Sequence, residues 1–195
     1  MSFKAFLDWY DEGSRREWVD GEVLLFTAPS RIHQKLTSFL NTLLRTYADL
    51  RGPGTVVPSP FGMRLRDGRS LREPDLLFVT KEHGAGLAGQ WLESPADLVI
   101  ELVFNDSVTR DGRDKLAEYA AAGILKYWLI DLRPDRQRAK LFRFGNDSTY
   151  RDIELDTSGR YHAMAMPGLW VEPYRLWQDP PPNPPRLMAT FVPGW

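Results

Sequence analysis

A chain of 195 residues is long enough for one ordinary domain that buries a core of its own. Hydrophobic residues at 43% and charged residues at 26% make a globular balance and exclude a disordered or fibrous protein. With no cysteine, disulfides, thiolate zinc sites and thiol nucleophiles are excluded, and a net charge of -1 excludes the bulk basic excess of a nucleic-acid-coating protein while leaving a local basic groove open.

The opening Met-Ser-Phe-Lys lacks the apolar stretch of a secretory signal, and no apolar run reaches membrane-spanning length, so a cytoplasmic address is expected. Phe3, Phe6, Leu7 and Tyr10 fall at helical spacing behind Ser2 as N-cap and predict a short amphipathic helix on a sheet edge. Asp20-Gly21, between strands at 16–19 and 22–26, is a two-residue hairpin signature. Behind Pro29-Ser30, the residues Ile32, Leu36, Phe39, Leu40, Leu43, Leu44 and Tyr47 predict a long helix that stops before Gly52-Pro53-Gly54. Strands follow at 55–57 and 61–66, and a turn at Asp67-Gly68 leads into a strand over 71–79.

The segment 97–103 is apolar almost without interruption and reads as a buried central strand broken only by Glu101. A helix over 113–122 with Gly123 as C-cap precedes a second buried strand at 127–130. Short strands at 140–144, 150–155 and 161–166 suggest an antiparallel extension of the sheet. The Pro-rich stretch 180–185 then breaks regular structure, so one domain is expected over 1–178 and a tail over 179–195.

Glu101 carries the most chemical information. An ionised carboxylate in a buried strand costs several kcal/mol unless a cation or strong donors offset it. Asp75 follows Pro74 at the head of the apolar run 76–79. If the two strands pair antiparallel, Asp75 and Glu101 meet at one end of the sheet, where a divalent ion would relieve their repulsion. Hard oxygen ligands suit Mg2+ or Mn2+, and such an ion beside a lysine is equipped for phosphodiester hydrolysis. The alternative is structural: a turn residue at 75 and a salt-bridged core acid at 101.

These pieces, in their order and spacing, resemble the PD-(D/E)XK nuclease superfamily and within it the large bacterial Uma-two branch of restriction endonucleases. The resemblance runs from Phe-Leu-Asp-Trp-Tyr-Asp-Glu at the start through Trp-Val-Asp-Gly-Glu ending at Glu22, Pro29-Ser30 with His33, and Glu-Pro-Asp ending at Asp75. It continues through Asp-Leu-Val-Ile-Glu-Leu-Val around Glu101, Asp111, Lys115 and Tyr-Trp-Leu-Ile-Asp ending at Asp131, and weakly to Pro167-Gly168-Leu169. It implies an α/β fold, a restriction endonuclease-like mixed β-sheet flanked by α-helices with antiparallel hairpin extensions. It also implies a divalent metal, Mg2+ or Mn2+, on Asp75 and Glu101, and DNA as the substrate of an endonuclease.

One position departs from the superfamily pattern, because Val103 stands where a lysine two residues after the glutamate is expected. Lys115, on the following helix, is the expected replacement, with Asp111 one turn earlier, and a solvated helix lysine is the alternative. Glu22 is expected to complete the site, or else to be an exposed turn-flanking acid. His33 is expected as general base or phosphate contact, or else as a hydrogen-bonded structural residue. Lys81, Arg64, Arg66, Arg69 and Arg72 are candidate phosphate contacts or solvated charge. Three readings stand: a metal-dependent endodeoxyribonuclease, with a homodimer suited to cutting two strands, a catalytically impaired nuclease fold serving as an interaction module, and a metal-dependent hydrolase that uses the same carboxylates on another phosphate ester.

Overall fold

The longest run of apolar residues at three- and four-residue intervals forms the longest helix. In a computed structural model, which describes residues 1–10, 15–26, 28–65, 68–104, 110–192 and 194, a first helix α1 (Phe3–Leu7) precedes a hairpin of β1 (Arg16–Val19) and β2 (Glu22–Leu25). Its turn is the expected Asp20-Gly21, both residues at positive φ. The long helix α2 (Arg31–Arg51) starts where the Ser30 hydroxyl accepts the His33 amide at 3.3 Å and ends on left-handed Gly52. The expected turn residue Asp67 and the candidate Arg66 lie outside the described residues.

The segment expected as one strand over 71–79 is two. β5 (Ser70–Arg72) and β6 (Leu76–Thr80) belong to different sheets, divided at Glu73-Pro74-Asp75, where proline has no N–H to give a ladder. The larger sheet has six strands in the order β11 (Tyr150–Asp152), β10 (Arg138–Phe144), β9 (Lys126–Asp131), β8 (Leu98–Val103), β6 and β3 (Gly54–Pro58). Within this sheet, among the described residues, only β8 and β9 pair in parallel, and the helix α3 (Lys115–Ala122) lies in their crossover. The smaller sheet runs β2, β1, β5, β4 (Gly62–Arg64) and β7 (Trp91–Leu92).

Strand alternation sorts the core onto two faces. Phe78, Ile100, Leu102 and Trp128 pack toward α2, while Leu77, Val79, Val99 and Tyr127 pack toward Tyr119 of α3 and Met63 of β4. Glu101 has the parity of Val99, and Asp75 that of Leu77. Glu101 therefore faces the α3 side, while Asp75, just ahead of β6, lies at the end of the sheet within reach of His33 of α2.

The C-terminal third departs further from expectation. β10 and β11 extend the large sheet antiparallel, but β12 (Tyr161–His162) leaves it and pairs with β13 (Trp170–Val171) in a separate ribbon. Beyond the prolines, the expected tail contains a helix α4 (Pro184–Phe191), capped by the Asn183 side chain on the Arg186 amide. Met188 and Phe191 of α4 are buried in the main core, with Phe191 edge-on to Tyr47 of α2 at 6.0 Å. Proline is tolerated in the first turn of a helix, so the Pro-rich stretch starts this helix instead of preventing it.

Candidate active site

The register of β6 on β8 pairs Leu76 with Ile100 and Leu77 with Val99, so one step further Asp75 stands opposite Glu101. The Leu102 amide donates to Asp75 Oδ2 at 2.8 Å, which closes the gap between the strands at that point. Both carboxylates line a cleft of about 350 Å³ together with Arg15, His33, Asp111 and Lys115.

Lys115 is the centre of charge. Its ammonium lies 2.7 Å from Glu101 Oε1, 2.8 Å from Glu17 Oε1 and 3.5 Å from Asp111 Oδ1, and the side chain is only 2% exposed. A single π-helical turn over Arg110–Asp114 leads into α3 and puts Asp111 and Lys115 on the same side. Tyr119, one turn further on, donates to Glu101 Oε1 at 2.8 Å. Burial opposes the charge on Lys115, but Glu101, Glu17 and Asp111 outweigh it and hold the ammonium cationic well above its ordinary range.

The two facing carboxylates are tuned apart. Burial is the largest influence on Glu101, and with the charges of Asp111, Asp75 and Glu17 it outweighs Lys115 and lifts the carboxyl to about 8. Burial also pushes Asp75 up, but the His33 hydrogen bond, the Arg15 charge and the Leu102 amide hold it below the usual carboxylate range. Arg15 reaches Asp75 Oδ1 at 2.9 Å and His33 Nε2 reaches the same oxygen at 3.1 Å. Acids are in excess around Glu101, and Asp111 Oδ1 is buried without a hydrogen bond.

Asp75, Glu101, Lys115, His33 and Asp111 thus converge. Glu22 does not: it is exposed on β2, the outer strand of the smaller sheet, and does not line the cleft. The acid that reaches the centre from the hairpin is Glu17, fully buried on β1 and bonded to Lys115 and to Arg72 at 2.7 Å. In the hairpin register Glu17 opposes Leu24 and Val19 opposes Glu22, so both acids project from the same face of the sheet, and Glu22 stays exposed because it sits at the turn end of the outer strand. Glu17 and Arg15 carry no local signal, since a charged residue in a short hairpin strand is unremarkable.

Of the candidate phosphate contacts, Arg72 is buried between Glu17 and Glu118, and Arg64 lies over the Phe3 ring at 4.5 Å. Arg69 pairs with Asp20 at 2.5 Å, and neither these three nor Lys81 lines the cleft. Among the described residues no group of three or more histidine, aspartate and glutamate side chains forms a ready-made metal cage, and no helix is long and apolar enough to cross a membrane.

The fold has a solved counterpart. A crystal structure titled a "putative nuclease belonging to DUF820" from Anabaena variabilis superposes with a TM-score of 0.73 at 14% identity, over 91% of this chain and 97% of that one. The type IIG restriction endonuclease BpuSI aligns with a TM-score of 0.37 at 18% identity, over 65% of this chain and 14% of that one. No curated protein matches the chain. The first likeness establishes a restriction endonuclease-like fold. Residues 3–174 match the family Uma2, described as "Putative restriction endonuclease", and with that match spanning most of the sequence the chain belongs to the Uma2 family.

Proposed function

We propose that this protein is a divalent-metal-dependent endonuclease that hydrolyses phosphodiester bonds of DNA, with Mg2+ or Mn2+ held by Asp75 and Glu101. The observation that carries the reading is Lys115, whose ammonium lies 2.7 Å from Glu101 on the strand beside Asp75. It supplies from α3 the cation that Val103 cannot, and so removes the main reason to read the site as impaired.

The donor chemistry fits such an ion. Asp75 and Glu101 offer hard oxygens, Asp111 Oδ1 in the same cleft has ion-pair contacts but no hydrogen bond, and Glu101 sits amid surplus negative charge. Mg2+ is commonly held by one or two carboxylates with water and substrate phosphate completing its shell, so a full protein cage is not required. When bound, the ion supplies Lewis-acid polarisation of a phosphoryl oxygen.

The chain's own residues do the rest. Three acids fix Lys115 in one place, so its positive field acts on developing charge without rearrangement. His33 has Nε2 on Asp75 and Nδ1 3.4 Å from the Thr37 hydroxyl, which suits a positioning residue for Asp75 better than a general base. Glu17 positions Lys115 from behind.

The test is cleavage of plasmid, linear duplex and single-stranded DNA with Mg2+ or Mn2+, alongside RNA. Wild type cuts DNA, EDTA stops it, and Asp75→Ala is inactive. Absence of cleavage of every polynucleotide with either metal overturns the reading.

A further inference from the structure

Among the described residues, three buried polar atoms of cleft-lining side chains make no hydrogen bond: Asp111 Oδ1, Arg15 Nε and Arg110 Nε, the first and last 3.4 Å apart as an ion pair. The first is an acceptor and suits a cation. The other two are guanidinium donors and call for the opposite charge.

Both guanidiniums are carried by one ring. Arg110 lies over Phe26 at 4.6 Å and Arg15 at 5.5 Å, and Phe26 itself lines the cleft. This keeps the two positive charges within about 10 Å, the screening length at 0.1 M salt, each beside one carboxylate, Arg15 by Asp75 and Arg110 by Asp111. Lys115 is enclosed by three carboxylates, and one terminal nitrogen of Arg15, Nη2, donates to Asp75 and to the Glu73 carbonyl. Arg110 is different: 26% of its side chain is exposed, and its contact with Asp111 at 3.4 Å is not a hydrogen bond. Planar, stacked guanidiniums match the oxygens of a phosphate better than a lysine does.

We infer that Arg110 and Arg15, stacked on Phe26, form a phosphate-binding fork at the mouth of the cleft, which receives a phosphate group of the nucleic-acid backbone and sets it against the acidic floor. The identity of that phosphate as nucleic acid rests on the nuclease reading, while the phosphate itself rests on the geometry of the fork. Phe26 acts as a positioning residue and touches no substrate atom.

The probe is inorganic phosphate in EDTA, at constant ionic strength balanced with chloride, read by thermal shift on the whole chain. Wild type gains melting temperature with phosphate. Arg110→Ala and Phe26→Ala lose most of that gain, and Arg110→Lys keeps a fraction of it, because lysine retains the charge without the planar fork. In a second arm, also in EDTA, binding of a labelled single-stranded DNA to Arg110→Ala weakens about tenfold or more, and the log–log salt slope falls by about one. Mn2+ binding by calorimetry stays at the wild-type value. Wild type without a phosphate response, or Arg110→Ala with wild-type phosphate response and salt slope, overturns the fork even if Mn2+-dependent cleavage is observed. Phosphate binding that needs Arg110, in a protein that cleaves nothing, retains the fork and sinks the nuclease reading instead.

Discussion

Two clusters of buried charge share Lys115, and they are built differently. Behind it, on the side of the smaller sheet, Glu17 accepts from Lys115, from Arg72 and from the Glu73 amide, and Arg72 forks onto both oxygens of Glu118. In front of it, in the cleft, Asp111 Oδ1 and the Nε atoms of Arg15 and Arg110 are buried without hydrogen bonds. A satisfied network of buried charges holds structure, whereas polar groups left short of protein partners cost stability unless water, an ion or a ligand completes them. On that contrast we propose the rear cluster as a support and the front cluster as the site.

The largest effect expected is on the front cluster's chemistry. Asp75→Ala lowers metal-dependent DNA cleavage by about 10³-fold, the scale of losing a group that stabilises transition-state charge, as measured by plasmid nicking at saturating Mn2+. Retained cleavage would move the metal site elsewhere. The next effect belongs to the rear cluster and is read in stability: Glu17→Ala leaves Arg72 and Lys115 buried without their shared acid and costs about 3–5 kcal/mol in urea unfolding. An unaltered midpoint would mean the rear network is not the support described.

Acid and alkali sharpen the contrast, because Glu17 of the rear cluster and Glu101 of the front one are shifted in opposite directions. Burial raises the Glu17 carboxyl, but Lys115 and Arg72 outweigh it and hold it below its ordinary range. Its contribution is therefore present above the ordinary carboxylate range and is lost as pH falls through the lowered folded value. Glu101, held at about 8 by burial and neighbouring acids, behaves the other way: the folded chain keeps a proton that the unfolded chain releases above its ordinary value of 4.5. Stability in EDTA then falls between about pH 5 and 8, and Glu101→Gln flattens that limb while leaving the acid limb in place. Denaturation midpoints across pH 3 to 9 check both slopes. The smallest effect is at Glu22: Glu22→Ala leaves cleavage unchanged and stability within about 0.5 kcal/mol, since the side chain is exposed on an outer strand.

Much of the frame is written locally. The Asp20-Gly21 turn, the Ser30 cap and apolar stripe of α2, the left-handed Gly123 after α3 and the continuous apolar β8 all follow from short-range chemistry. The split at Pro74 was harder to see, because a proline ahead of an apolar run marks equally well the start of a strand or a break within one. The helix after the C-terminal prolines is not legible for a similar reason. Proline ends some helices and begins others, and the burial of Met188 and Phe191 against α2 decides which occurs.

The sequence by itself determined that an acid would be buried in the central strand and that a second stood ready at the head of its neighbour, because apolar continuity and a single charge can be read along the chain. Only the tertiary structure decided which cations and which further acid surround them. Lys115, Glu17, Arg15 and Arg110 come from a helix, a hairpin of the other sheet, the approach to that hairpin and a π-helical turn, and the direction each side chain takes is set by sheet pairing and packing between segments far apart in the chain.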